Sequence, residues 1–215
     1  MADAWMPGAA RLRATDGGRM NGGAPRVVWL TTQTDPRNVS ARSAAAVLDQ
    51  LGRPAHLVWN PISGDVVQMV PITRAARGLA SGRDGRLCVE IRVIGLAAAP
   101  FTSGPARGLD AILAWLDTWS IPRIWPCGLP NSDLTPTDRR TWSRGGHFGG
   151  SQVPRSPEPG PGPINGAALT DMPPLLPQPR EWTTAPPATA PEHNGDKPVA
   201  RDRSPVTVGT AAESG

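Results

Sequence analysis

The amino-acid sequence predicts an α/β fold, with one mixed β-sheet flanked by helices. The prediction depends on the order of local patterns between residues 26 and 120, where strand-like and helix-like segments follow one another as β–α–β–β–β–α. It also depends on a hairpin signal, because two of the strand-like runs are joined by short turn chemistry. A sheet with one hairpin and with helices between its other strands is expected to be mixed.

The first strand and the first helix are predicted from residues 26–32 and 40–52. The run RVVWLTT (26–32) is apolar and rich in β-branched residues, which is typical of a buried strand. The run SARSAAAVLDQLG (40–52) is helical, with Asn38 or Ser40 as the cap and Gly52 at its end. The expected buried face of this helix consists of Ala44, Val47, Leu48 and Leu51.

The remaining elements are a hairpin, a strand and a second helix. Residues 55–71 contain HLVWN and VVQMV around the turn sequence PISGD, and residues 87–95 form a strand with one well-buried face. Residues 105–120 are the clearest helix, with Pro105 at the start. Its apolar stripe consists of Leu109, Ile112, Leu113, Leu116 and Trp119. An irregular region follows, and we expect the stretch GGHFGGSQVPRSPEPGPG (145–162) to be a loop.

The expected domain is a single one, residues 25–165, between disordered termini. Residues 1–24 lack apolar periodicity. The tail, residues 166–215, belongs to a region that is rich in proline, since 14 of the 26 prolines stand at or after Pro154. Such a segment cannot bury enough apolar surface to offset its ordering entropy, so we expect it to be disordered.

Charge and cysteine usage exclude some classes of function. The net charge is +4, but the basic residues are scattered arginines with the single lysine Lys197, and no basic stripe carries interleaved aromatics. We therefore expect no nucleic-acid partner. No apolar run is long enough to span a bilayer, so no membrane partner is expected. Cys88 and Cys127 lack the spacing of a zinc ribbon or redox pair, and their redox state stays open.

Six segments resemble, in order and spacing, the zinc-dependent N-acetylmuramoyl-L-alanine amidases and the related peptidoglycan recognition proteins. The segments are VVWLTT, HLVWNPISGDVVQMVP, ITRAARGL, CVEIRVIG, GLDAILAWLDTWSIP and GGHFGGSQVP with EPGPG. The nearest resemblance is to cell-wall lysis enzymes of actinobacteria and their phages. It implies a zinc ion held by two histidines and an aspartate or cysteine, with a fourth position open for the attacking water.

The resemblance also shows which residues stand at the expected ligand positions. Leu30 takes the place of the first histidine, in a pattern resembling V-x-H-T-T, and Gly150 takes the place of the second, just before Ser-Gln-Val-Pro. Glu158 takes the place of the aspartate, and Ser156 that of the residue that steadies the oxyanion. His147 matches a neighbouring histidine, so the metal candidates are His147 and Glu158, as the remains of a lost site.

Further candidates belong to a substrate groove or to the interior. His56 opens the hairpin strand, where a satisfied, partly buried histidine is expected, and it is also a groove candidate. Glu90 and Arg92 share one face of a strand, which suggests a local structural pair. The other groove candidates are Trp142, Phe148 and Gln152, and the aromatic residues Trp59 and Trp125 are alternatives that could instead pack in the core.

Three interpretations remain open at this level. In the first, the chain is a degenerate amidase domain without catalytic residues or a cofactor, a monomer that at most binds peptidoglycan fragments. In the second, it is an active zinc hydrolase rearranged around His147, Glu158 and His56. The third is a decayed reading frame. Because no signal peptide is evident, we expect a cytoplasmic chain that reaches the cell wall only by a phage-type release.

Overall fold

The computed structural model describes residues 2–169, apart from residues 21, 80–83, 100, 132, 134, 156, 157 and 159. Its strands are β1 (Ala10–Arg11), β2 (Arg26–Thr31), β3 (Leu57–Trp59), β4 (Val66–Gln68), β5 (Val89–Val93) and β6 (Gly146–Gly149). Its α-helices are α1 (Ala41–Gln50), α2 (Leu109–Thr118) and α3 (Arg139–Trp142). Short 3₁₀ turns cover Asp84–Leu87, Phe101–Ser103, Gly150–Gln152 and Gly166–Ala168. No helix in the described part of the chain is long and apolar enough to cross a membrane.

The strands form one mixed sheet in the order β1-β4-β3-β5-β2-β6. Strands β2, β3, β5 and β6 are mutually parallel, β4 is antiparallel to β3, and β1 is parallel to β4. The predicted α/β class and the hairpin are therefore confirmed. The carboxyl ends of the four parallel strands meet at one edge of the sheet, which is where ligand sites of α/β proteins usually lie.

Strand β2 is buried along its whole length because both of its faces are covered. On one face, Val27 and Trp29 pack in the large apolar cluster that includes α2. On the other face, Val28 and Leu30 pack in a smaller cluster with Phe148. We call these the α2 face and the opposite face.

Helix α1 begins where predicted but buries a different set of side chains. Ser40 is the N-cap and accepts a hydrogen bond from the Ser43 amide at 3.1 Å. The expected large residues point outward, with Val47 53% and Leu51 64% exposed. Of the predicted face, Ala44 is buried and Leu48 is partly buried, and the small residues Ala41 and Ala45 lie against the sheet with Ala44. Their size lets the helix approach the sheet closely, which a pattern weighted toward large apolar residues does not reveal.

Helix α2 starts at Leu109, four residues after Pro105. The chain enters it through Gly108, whose φ of +84° and close approach to the Gly64 carbonyl suit glycine. The predicted stripe is buried from Leu109 to Leu116 and gains Trp115. Trp119 is only partly buried at the edge of the cluster.

The described part of the N-terminal segment makes specific contacts, in place of the disorder expected for residues 1–24, of which residues 1 and 21 lie outside the described residues. Met6 is buried, and its amide donates to Gln68 Oε1 at 2.5 Å, while Gln68 Nε2 donates to the Ala4 carbonyl at 2.9 Å. The Trp115 indole donates to the Asp3 carbonyl at 3.0 Å. These contacts involve backbone atoms, so apolar periodicity gives no sign of them.

The other predicted terminus is described only at its beginning. Leu169 is fully buried, so ordered packing continues a few residues beyond the expected boundary at residue 165. Residues 170–215 lie outside the described residues, and the disordered tail stays a prediction.

The stretch expected to be a loop at 145–162 contains strand β6. It pairs in parallel with β2, and Val27 is opposite His147. Glycine has low strand propensity, which explains why the sequence pattern does not reveal this strand. Position 149 has no room for a side chain, because a Cβ atom there would lie 2.7 Å from the ring of Pro161.

Candidate functional site

Leu30 and Gly150 are in direct contact on the opposite face of the sheet. Leu30 is the fifth residue of β2, and Gly150 begins the 3₁₀ turn that follows β6. A Cβ atom on Gly150 would lie 2.5 Å from Leu30 Cδ2 and 3.3 Å from the Gly160 carbonyl oxygen. The Leu30 side chain therefore fills the space into which a side chain at position 150 would project.

The surroundings of this pair are apolar. Leu30 is 1% exposed and belongs to the cluster of Val28, Leu79, Cys88, Trp142, Phe148 and Val153. Neither Leu30 nor Gly150 supplies a side-chain donor for a metal ion. Within the described ranges, no three side chains of His, Cys, Asp or Glu lie close enough together to hold one.

Glu158 is held by two arginines. Arg92 donates to Glu158 from both terminal nitrogens, at 2.6 Å to Oε2 and 3.1 Å to Oε1. Arg53 Nη2 also forms an ion pair with Glu158 Oε1. Both guanidinium groups donate in addition to the Gly78 carbonyl, at 2.7 Å from Arg53 and 2.8 Å from Arg92. The carboxylate is thus fully engaged within the protein.

His147 lies on the α2 face and does not meet Glu158. It stands opposite Val27 in the β2–β6 register, whereas Arg92, the partner of Glu158, stands opposite Leu30 in the β2–β5 register. Side chains alternate along a strand, so Val27 and Leu30 project from opposite faces. The two metal candidates predicted from the sequence are therefore separated by the sheet.

The His147 ring is bound within the core. Its Nδ1 accepts a hydrogen bond from Trp29 Nε1 at 3.1 Å, so the neutral ring carries its proton on Nε2. Burial lowers the pKa of His147 to about 4, and the positive charge of Arg123 acts in the same direction. Its ring stacks on Trp29 with the centroids 6.0 Å apart and is tilted against Trp125 at 5.6 Å.

His56 is a fully buried structural residue rather than a groove residue. Its Nδ1 accepts from the Glu90 amide at 2.9 Å, and its Nε2 donates to the Arg74 carbonyl at 2.8 Å. Burial lowers the pKa of His56 to about 4. Both ring nitrogens are used, so the expectation of a satisfied histidine agrees with the structure, and the expectation of a groove residue does not.

The other groove candidates are also interior residues. Trp142 is 3% exposed, Phe148 is fully buried, and their ring centroids are 4.6 Å apart. Gln152 is 3% exposed; its Oε1 accepts from the Gly149 amide at 2.8 Å, and its Nε2 donates to the Gly128 carbonyl at 3.0 Å. Trp59 and Trp125 belong to the core as well. In each case, packing explains the residue, and none of them faces a groove.

Glu90 and Arg92 form the feature whose importance the sequence pattern underestimates. They share a face of β5, but Arg92 pairs with Glu158 and not with Glu90. Glu90 is fully buried, and neither of its carboxyl oxygens has a hydrogen-bond partner among the described residues. Burial raises the pKa of Glu90 to about 8, although the positive charge of Arg92 acts in the opposite direction. The available signal in the sequence was the pair of charged residues on a strand whose other residues are apolar.

An open cleft of about 290 Å³ lies at the carboxyl edge of the parallel strands. Apolar atoms dominate its lining, and Asp35 and Arg37 supply charge. Its apolar walls include Pro36, Pro61, Ile62, Leu96, Phe101 and Pro105. Beside it, Gln33 adopts a φ of +58° and links two loops, since it donates to Thr31 Oγ1 at 2.5 Å and accepts from the Ala97 amide at 3.2 Å. Residues with a positive φ other than glycine are rare, and they are found more often near binding sites.

The class that the fold defines is that of α/β proteins with a mixed sheet covered on both faces. No family model and no curated protein matches this chain. Among solved structures, it is similar to an AmpD derivative, with 16% identity over 79% of this chain and 96% of that one, at a TM-score of 0.47. It is also similar to the Staphylococcus aureus hydrolase AmiA in complex with its ligand, with 14% identity over 66% and 65% of the two chains, at a TM-score of 0.42.

A third similar structure is PGRP-SA of Apis mellifera, with 12% identity over 70% of this chain and 89% of that one, at a TM-score of 0.44. All three TM-scores lie below 0.5, so this likeness by itself assigns no activity to the chain.

Proposed function

We propose that this protein is a peptidoglycan amidase-like domain that has lost its zinc site and binds cell-wall peptidoglycan fragments without cutting them. The observation that carries the proposal is the contact between Leu30 and Gly150. In the resemblance described above, these are the positions of the two histidine ligands. Residues from β2 and from the segment after β6 meet as such ligands would, but they meet as an apolar pair.

The donor set does not fit a zinc ion. A catalytic zinc needs three protein ligands and one open position, and affinity depends on that number. Leu30 and Gly150 offer no donor, and Glu158 is engaged by Arg53 and Arg92. We therefore derive no hydrolytic step for this chain.

The alternative of a rearranged zinc hydrolase would require His56, His147 and Glu158 to converge. His147 and Glu158 lie on different faces of the sheet, and the ring of His56 has both nitrogens in hydrogen bonds. No observation favours that alternative, and the zinc measurement below decides between the two.

The cleft at the carboxyl edge of the parallel strands is where we place the bound fragment. A muramoyl peptide carries apolar methyl groups, amides and carboxylates, and it needs a concave surface with few polar groups to orient it. The cleft offers apolar walls around Ile62 and Phe101, and Arg37 could pair with a carboxylate. A monomer suffices for this arrangement.

The test combines sedimentation with insoluble peptidoglycan, titration with a soluble muramoyl peptide, and measurement of metal content by mass spectrometry. We expect binding, no release of L-alanine-linked peptides, and no stoichiometric zinc. Arg37→Ala and Ile62→Ser should weaken binding by about tenfold or more if they are central contacts. Arg123→Ala, which removes an arginine outside the cleft, is the matched control and should bind as the unmodified protein does.

Two results would contradict the proposal. Failure to bind either form of peptidoglycan would remove the binding function. Stoichiometric zinc together with peptide release, both lost in His147→Ala, would establish the rearranged hydrolase instead.

A further inference from the structure

One buried guanidinium group joins three separate segments of the chain. Arg92 extends from β5 and contacts the carboxylate of Glu158 and the carbonyl of Gly78. Its side chain is 7% exposed, and that of Glu158 is 15% exposed. Arg53 contacts the same two groups from the solvent side, where it is 44% exposed. We call Arg53 and Arg92 the arginine clamp.

The clamp stands beside the place where the resemblance puts a metal ion. Arg92 is the register partner of Leu30 on the neighbouring strand, and both side chains project from the same face. Glu158 occupies the position of the third metal ligand, so the residue that would reach toward a metal is turned to the clamp.

Gly78, whose carbonyl accepts from the clamp, has no room for a side chain. A Cβ atom there would collide with Glu90 Oε2 and would lie 3.4 Å from Arg92 Nη2. The absence of a side chain at position 78 leaves room for the Glu90 carboxyl group next to Arg92.

We propose that the arginine clamp replaces a metal ion as the cross-link between the sheet and the chain segment that follows β6. A metal in such a site ties its ligands together, and here two guanidinium groups tie Glu158, Gly78 and β5 together by charge-assisted hydrogen bonds. The inference goes beyond the proposed function, because the clamp holds this segment whether or not peptidoglycan binds.

The first test measures tryptic cleavage after Arg155, an exposed residue three positions before Glu158. Cleavage reports local opening of the segment, and its rate is quantified by mass spectrometry on the full chain. Arg92→Met and Glu158→Gln should each speed this cleavage by about tenfold, since removal of one partner leaves the other buried charge unpaired. Glu158→Gln, at a partly exposed position, keeps the test valid if Arg92→Met does not fold.

The matched control breaks an ion pair elsewhere. Arg123 donates to Asp117 at 2.6 Å, and both side chains are partly exposed. Asp117→Asn should leave cleavage after Arg155 unchanged. The double variant Arg92→Met with Glu158→Gln should cleave no faster than the quicker single variant if the two residues act through one interaction. Independent, multiplicative effects, or no acceleration in either single variant, would overturn the proposal.

A second test uses zinc itself as the probe. In the variant Leu30→His with Gly150→His, we expect weak zinc binding by calorimetry, because Glu158 remains in the clamp. Adding Arg92→Met should release Glu158 and tighten zinc binding by about tenfold. Equal zinc affinity with and without Arg92 would show that the clamp does not compete for Glu158. Neither result depends on peptidoglycan, so failure of this test can be distinguished from failure of the peptidoglycan-binding test.

Discussion

The two faces of the sheet are built from different chemistry. On the α2 face, aromatic rings pack edge to face and in stacks, with Trp29 6.4 Å from Trp59 and 5.9 Å from Phe101. On the opposite face, apolar Leu30 lies beside the ion pair of Arg92 with Glu158 and the buried acid Glu90. An apolar face needs only complementary shape, whereas buried charges need specific partners. The α2 face should therefore contribute to stability mainly through packing, and the opposite face through specific polar contacts.

The largest effect should come from the α2 face. Leu113 is 5% exposed in the apolar cluster, so Leu113→Ala should lower the free energy of unfolding by about 2–5 kcal/mol, measured with urea. The matched control is the same substitution at Leu51, which is 64% exposed and should change stability by less than about 0.5 kcal/mol. A similar loss of unfolding free energy at both positions would show that the predicted face of α2 is not packed in the core.

The buried acid Glu90 on the opposite face predicts a dependence of stability on pH. The pKa of Glu90 is raised from 4.5 to about 8 by burial, so the folded protein keeps its proton where the unfolded chain has lost it. This contribution to stability is complete below pH 4.5 and disappears as pH rises through about 8. Between pH 6.5 and 8, this contribution of Glu90 should fall by about 2 kcal/mol.

Glu90→Gln, which carries no titrating proton, should flatten that slope in urea unfolding. The control Asp49→Asn alters an exposed acid on α1 and should retain the slope. A slope that persists in Glu90→Gln would mean that the opposite face does not hold a neutral acid at neutral pH.

The packing of Leu30 against Gly150 should give a smaller effect. Gly150→Ala places a Cβ atom 2.5 Å from Leu30 Cδ2, and this overpacking should cost about 1–3 kcal/mol. In the background Leu30→Ala, the same change should cost much less, which a double-mutant cycle detects. Strictly additive costs would show that the two positions do not share one space.

The smallest effect should come from His147 on the α2 face, in an acidic window. The pKa of His147 is lowered from 6.5 to about 4, so the unfolded chain takes up a proton first as pH falls. The contribution of His147 should therefore lower stability between pH 6.5 and 5, whereas the contribution of Glu90 acts in the opposite direction in this window. His147→Gln should remove about 1 kcal/mol of the destabilising part. His56 titrates in the same window and leaves a residual slope. An unchanged slope would show that His147 is not held neutral by the core.

Local patterns were sufficient where an element buries a continuous apolar stripe. The α2 stripe, the hairpin and the buried strand β2 all follow from spacing, because side-chain periods of 3.6 and 2 report directly on which face is buried. The resemblance in turn pointed to Leu30 and Gly150, and the structure brings these residues into contact.

Tertiary structure alone decided the features that depend on contacts between distant segments. Strand β6 is glycine-rich and forms because β2 offers it a partner, and the N-terminal segment is ordered through backbone bonds to Gln68. The register of the paired strands puts His147 on one face of the sheet and Arg92, the partner of Glu158, on the other. The ion pair of Glu158 with Arg92 joins residues that are 66 positions apart in the sequence. Sequence spacing determines the face of a residue within its own element, but register and loop path determine which residues from different elements meet.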